Sequence, residues 1–138
     1  ELIFFQVKRW LFINLYKKVR FPFLFSFLNM KQRVKKHESF LNFLVYADST
    51  QQKLIIKALS SEQYDVLSEI ALNIYTGTYP LSKKYINHLK PYESYIRLLG
   101  SREVSNREKR RILLKNNSLV SLLLKPIVQH IKDKWRRK

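Results

Sequence analysis

Cysteine is absent from the 138 residues, which excludes disulfide staples, thiolate metal sites and thiol nucleophiles and leaves the redox compartment open. Glycine occurs only twice, at Gly77 and Gly100, so no glycine-rich loop can cradle a phosphate. Acids are scarce, 10 Asp+Glu against 27 Lys+Arg, and too dispersed for an evident catalytic pair. His37, His88 and His130 show neither H-x-x-x-H nor H-E-x-x-H spacing, the usual signatures of a helical metal site. Together these absences point away from an enzyme, a cofactor and a metal. Long apolar runs are also missing from the aromatic N-terminal part. Its longest uncharged stretch, Phe21 to Met30, contains Pro22 and is half of the roughly 20 residues that a membrane span requires.

What the chain does have is positive charge. A formal net charge of +17 predicts a polyanionic partner and long-range attraction toward it; phosphate polymers and anionic membranes both qualify. The first 29 residues stand apart in composition. They hold seven of the nine phenylalanines with Trp10, Tyr16, Lys8, Arg9, Lys17, Lys18 and Arg20, and no acid lies between Glu1 and Glu38. Met30 sits at the change. The expectation is a leader over residues 1–29, with Met30 as the biological start, and one basic helical domain over residues 30–138. A membrane-seeking arm or a core element are the other readings of the leader.

From Met30 onward the signals are those of short capped helices. Ser49-Thr-Gln-Gln52 reads as a capping box opening a helix that carries Leu54, Ile55, Ala58 and Leu59, and Ser60 with Gln63 repeats the device. Tyr64, Leu67, Ala71 and Ile74 recur at steps of three and four up to Gly77, suited to a left-handed C-terminal cap. Tyr79-Pro80 turns the chain. Ser82 caps a second helix with Tyr85, Leu89, Tyr92, Ile96 and Leu99 on one face, kinked or divided by Pro91 and stopped by Gly100. These two helices form a predicted hairpin over residues 61–100. Ser105 with Glu108 opens a further helix ending at Asn116-Asn117-Ser118, and Pro126 is placed in a first turn, dividing the last segment in two. The fold class is all-α, a small bundle of about five to six short helices.

The cations are patterned. Arg107, Arg110, Arg111 and Lys115 fall at i, i+3, i+4 and i+8, so they share one helical face, with Leu114 among them. Near the C-terminus Leu124, Val128, Ile131 and Trp135 lie on one side of a helix and Lys125, Gln129, Lys132 and Arg136 on the other. That apolar side is read either as core or as a contact for a capsid partner or membrane. Glu62, Asp65 and Glu69 make an acidic stripe, read either as a solvated face balancing nearby lysines or as a dock for a basic helix of a second copy.

The order Glu69-Ile-Ala-Leu-Asn-Ile, Gly77-x-x-Pro80-Leu-Ser, Leu89-x-x-Tyr92-x-x-x-Ile96-Arg97-x-Leu99, Ser105-x-x-x-Lys109-Arg110 and Leu122-Leu-Leu-x-Pro126-Ile resembles a family of small basic proteins. These are encoded by Polinton (Maverick) transposons and adintovirus-like double-stranded DNA viruses of animals. The resemblance covers roughly residues 30 to 130, and Asn116-Asn117-Ser118 stands where the family carries a glycine-rich tract. It implies a protein akin to the small core proteins of adenovirus-type virions, located in a virion or host nucleus.

The sequence reading is therefore a non-enzymatic protein that holds double-stranded DNA or another polyanion through phosphates, without reading base sequence. The expected contacts are Lys83, Lys84, Lys90, Arg97, Arg102, Arg107, Lys109, Arg110, Arg111, Lys115, Lys132, Lys134, Arg136, Arg137 and Lys138. Tyr64, Tyr85 and Tyr92 occupy core-like positions and are not expected to stack on bases. The alternative is a structural assembly or membrane-perturbing role for the C-terminal helix.

Overall fold

A computed structural model describes the backbone of residues 20–135 and the side chains of residues 28–133. Its elements are helices α1 (Arg20–Lys36), α2 (Glu38–Tyr46), α3 (Ser49–Lys57), α4 (Ser61–Tyr75), α5 (Lys83–Leu89), a 3-10 turn (Lys90–Tyr92), α6 (Glu93–Gly100), α7 (Asn106–Lys115), α8 (Asn117–His130) and a π turn (Ile131–Trp135). The described chain is all helical, a bundle with slightly more helices than expected. Leader residues 1–19 lie outside the described residues. Helix α1 runs through Met30, which is fully buried together with Val34 one turn on.

Two helices carry the bundle. Helix α4 packs against α1, α6, α7 and α8, most extensively against α6, while α8 packs against α2, α3, α4, α5 and α7. An element surrounded in this way cannot have a wide polar face. Tyr64, Val66, Leu67, Glu69, Ile70, Ala71, Asn73, Ile74 and Tyr75 of α4 are accordingly all buried. The predicted face of Tyr64, Leu67, Ala71 and Ile74 is within this set. An apolar void of about 10 Å³ among Leu44, Ile56, Leu67 and Leu124 is barely large enough for one water.

Local chemistry sets most helix ends. Ser60 accepts from the Gln63 N–H at 3.2 Å while the Gln63 side chain accepts from the Ser60 N–H at 2.9 Å, the predicted capping box. Ser82 and Ser105 cap α5 and α7 as expected. Gly77 takes φ 74°, the left-handed conformation that turns the following chain back so that the Tyr79 N–H reaches the Asn73 carbonyl, while the Gly77 N–H bonds the Ile74 carbonyl and α4 is closed. The box before α3 begins one residue earlier than expected: Asp48 is the cap and Gln51 its partner. That shift frees Gln52, which is buried and donates to the Leu44 carbonyl at 2.9 Å and to Ser121 Oγ at 3.2 Å, joining α2, α3 and α8. On α3 the core residue is Ile56, whereas the expected Leu54 is 63 % exposed.

Pro91 divides the hairpin's second arm, and the halves go to different partners. Helix α6 returns along α4, whereas α5 turns onto α8. Pro126 does not divide the last segment as expected; it lies inside α8. A proline there removes the N–H that would bond the Leu122 carbonyl. Tyr85 Oη, reaching across from α5, donates to that carbonyl at 2.6 Å and supplies the missing partner. Tyr79 is likewise buried, with its hydroxyl against His130 Nδ1 and the Pro126 carbonyl, so the loop after α4 is tied to the end of α8. Burial pushes the Tyr79 phenol up to about 12.

Gly100 is not a helix stop by conformation, since no left-handed φ is needed there; it is the last residue of α6 and lies over α4. A Cβ at this position would sit 2.9 Å from the Leu72 N and 3.0 Å from the Leu72 Cα. Gly100→Ala should gain at most about 1 kcal/mol of helix propensity and lose about 1–3 kcal/mol to overpacking against backbone that cannot step aside. A melting temperature lower by a few degrees is expected, and an unchanged or raised one would show that α6 can lift off α4 freely. Ala71, fully buried on α4, gives a sharper test. Ala71→Asp places an unpaired carboxylate in the core and should leave the chain largely unfolded by circular dichroism.

Candidate nucleic-acid interface

The cations expected to contact phosphate fall into distinct structural classes. Lys83 and Lys84 are exposed in the first turn of α5, immediately after the Ser82 cap. Positive charge there opposes the helix dipole, a placement that helix stability does not favour. Lys90 is half-buried in the 3-10 turn, and Arg97 is exposed on α6. Arg107, Arg111 and Lys115 are exposed on α7 and follow one another around a single face, as the spacing predicts. Arg111 Nη1 lies 3.2 Å from Glu108 one turn back, an exposed pair worth little energetically that leaves the guanidinium at the surface. Lys132 is exposed beside α2. The side chains of Lys134, Trp135, Arg136, Arg137 and Lys138 lie outside the described residues.

Two members of the expected set turn inward. Lys109 is 6 % exposed, and its Nζ donates to Ser68 Oγ of α4 at 2.7 Å. Burial lowers its pKa, partly offset by the Asp65 carboxylate nearby. Lys109 turns inward for a geometric reason: position 109 points at α4 when Arg107 and Arg111 point away, because residues two apart on a helix diverge by about 200°. Arg110 is half-buried; its Nε donates to Tyr64 Oη at 3.0 Å and its guanidinium lies 5.9 Å from the Tyr64 ring centroid. These two side chains fasten α7 to α4. Lys109 forms one wall of an open polar cleft of roughly 380 Å³ with Arg33, Asp65, Ser68, Arg102 and Asn106. Both charge signs line it, so it is a poorer anion site than the exposed stripe.

The acidic stripe is occupied within the chain. Lys36 Nζ is 2.8 Å and His37 Nε2 3.2 Å from Glu62 Oε1, Arg33 is 3.7 Å from Asp65, and the buried Glu69 accepts from Asn29 Nδ2 at 3.3 Å. Cations of α1 and His37 just after it thus meet this stripe from within the chain, while Glu62 and Asp65 keep 57 % and 60 % side-chain exposure. The described part of the C-terminal apolar side follows the first of its two readings, as core. Leu124, Val128 and Ile131 are 1–2 % exposed, packed into the core, and present no surface to a capsid or lipid partner. Among the described residues, no helix is long and apolar enough to cross a membrane, and no group of three His, Asp or Glu could hold a metal ion.

Sequence reasoning missed Phe43 and Tyr46, which are 62 % and 63 % exposed on α2. The apolar run Phe40 to Val45 has no polar interruption except Asn42, so its periodicity could not tell a buried face from an open one.

The Glu62 contacts generate a pH prediction. Hydrogen bonding and charge from Lys36, then from His37, hold the Glu62 carboxyl below its ordinary value of 4.5. A carboxylate depressed in the folded state contributes stability above pH 4.5 and loses it as pH falls through the lowered value. Thermal melts between pH 6 and pH 3 should show this acid loss, and Glu62→Gln should flatten it. A variant whose acid profile matches the parent's would show that the α1–α4 contact does not depend on this charge.

No family model matches this chain, and no curated protein or solved structure matches it either.

Proposed function

We propose that this protein binds nucleic acid through phosphates without reading base sequence, as a packaging protein of a viral or transposon-like element. The observation that carries the reading is the fate of the charges. The acids of α4 are matched within the fold by Arg33, Lys36 and His37, whereas Arg107, Arg111 and Lys115 stand exposed on one face of α7 and Lys83, Lys84 and Arg97 on neighbouring elements. These exposed cations belong to a chain whose net charge is +17. Such a surface attracts a phosphate polymer by counterion release, which needs no shaped pocket. Exposed lysines at the start of α5, unfavourable for the helix, fit a role in contact with an anion. The buried Leu124, Val128 and Ile131 withdraw support from the membrane-perturbing alternative.

The α7 face tests the proposal. Replacing Arg107, Arg111 and Lys115 with glutamine should weaken binding to unrelated DNA duplexes by similar factors and leave the helical signal intact. The slope of log K against log[salt] should become shallower by up to about one unit for each phosphate-bound cation removed. Lys109→Gln should leave that slope unchanged, because the parent side chain points into the protein. A parent chain that fails to bind any DNA at roughly 50 mM salt, where non-specific phosphate contacts are strongly favoured, would end this reading.

A further inference from the structure

Phe43 and Tyr46 have a placement that the packing of the bundle does not require. Three residues apart on α2, they sit one turn from each other on the same face. The buried residues of α2 are Leu41, Leu44 and Val45, which face the core beside α8. Both rings remain more than 60 % exposed. Aromatic side chains ordinarily bury 150–250 Å² each, so two left open on one short helix form a surface and add little to the packing.

The neighbouring charge says which partner suits that surface. Lys132 Nζ stands 4.9 Å from the Tyr46 ring centroid and 3.3 Å from Tyr46 Oη. Lys132 is the first of five cations in the last seven residues, followed by Lys134, Arg136, Arg137 and Lys138. The aromatic pair thus lies beside Lys132, the residue at which this basic stretch of sequence begins. Stacking rings beside a run of cations is the composition that unpaired nucleotides recognise: bases lie on the rings and phosphates meet the cations. A duplex keeps its base faces stacked on one another and offers only their edges in the grooves. A membrane surface would call for a broad apolar face, whereas this helix exposes two rings and one of them already carries an ammonium group.

We propose that Phe43, Tyr46 and Lys132 form a binding site for the unpaired bases of single-stranded nucleic acid. The site rests on the phosphate-binding reading above and adds a base-stacking component to it. It gives the protein a preference for strands opened from the duplex, with no preference for base identity, because every base has a π-face.

The test uses the full chain, a labelled oligothymidine of about 20 nucleotides, a duplex of equal length, and vesicles containing phosphatidylserine. Fluorescence anisotropy at a common salt concentration should show the single strand bound several-fold more tightly than the duplex. Phe43→Ala with Tyr46→Ala should weaken single-strand binding on the order of tenfold or more and change duplex binding little. Phe43→Trp should keep the preference and Phe43→Leu should lose it, which separates stacking from general apolarity. Both parent side chains are exposed, so the variants should keep the parent's circular dichroism spectrum. Equal binding of both nucleic acids with no effect of the double alanine variant would overturn the stacking site and leave the phosphate reading standing. Failure to bind either nucleic acid would overturn both. Binding to the vesicles that the double variant abolishes, without single-strand preference, would reassign the rings to a lipid surface.

Discussion

The depth of the bundle depends on how closely α6 can approach α4. Gly100 lies against the Leu72 backbone where a Cβ would be 2.9 Å from the nearest atom, so the two helices meet main chain to main chain. This approach sits beside the junction from which α7 leaves. With α7 seated on the same helix, Lys109 reaches Ser68 and Arg110 reaches Tyr64. Two cations that would otherwise have pointed to solvent become the fastening of α7. The exposed stripe of Arg107, Arg111 and Lys115 is the outer side of the helix whose inner side these two contacts hold.

Charge is distributed by the same packing. Helix α1 brings Arg33 and Lys36, and the residue after it, His37, to the acids of α4. Each exposed pair contributes little to stability, but together they engage two of the chain's ten acids in one place. The outward faces of α5, α6 and α7 are left without that compensation. An electrostatic surface of this kind acts at a distance and weakens with salt, which suits a partner that is a repeating anion rather than a shaped ligand.

Helix ends were legible because capping is a contact between residues three apart. Ser60–Gln63, Ser82, Ser105 and the left-handed Gly77 can all be read without knowing what lies across the bundle. The Asp48 box shows the resolution of that reading, since either Asp48 or Ser49 could cap and the structure chose the acid. Pro91 behaved as a local divider. Pro126 did not, because Tyr85, 37 positions from Leu122 along the chain, satisfies the Leu122 carbonyl that the proline leaves open. The cationic face of α7 was readable as a spacing, yet the inward turn of Lys109 and Arg110 was not, for it required Ser68 and Tyr64 to be beside them.

The sequence by itself determined that the chain is helical, basic and free of thiol chemistry, and where most of its helices start and stop, because composition and short-range hydrogen bonding are properties of neighbours in the chain. Only the tertiary structure decided which charges and which apolar residues face out. Glu62 and Asp65 of α4 meet cations of α1, Glu69 is buried, the apolar side of α8 is core, and Phe43 and Tyr46 are open. A helix with apolar residues on more than one side does not state which side will be covered; that follows from the helices that pack on it, and they are brought there by contacts between residues far apart in sequence.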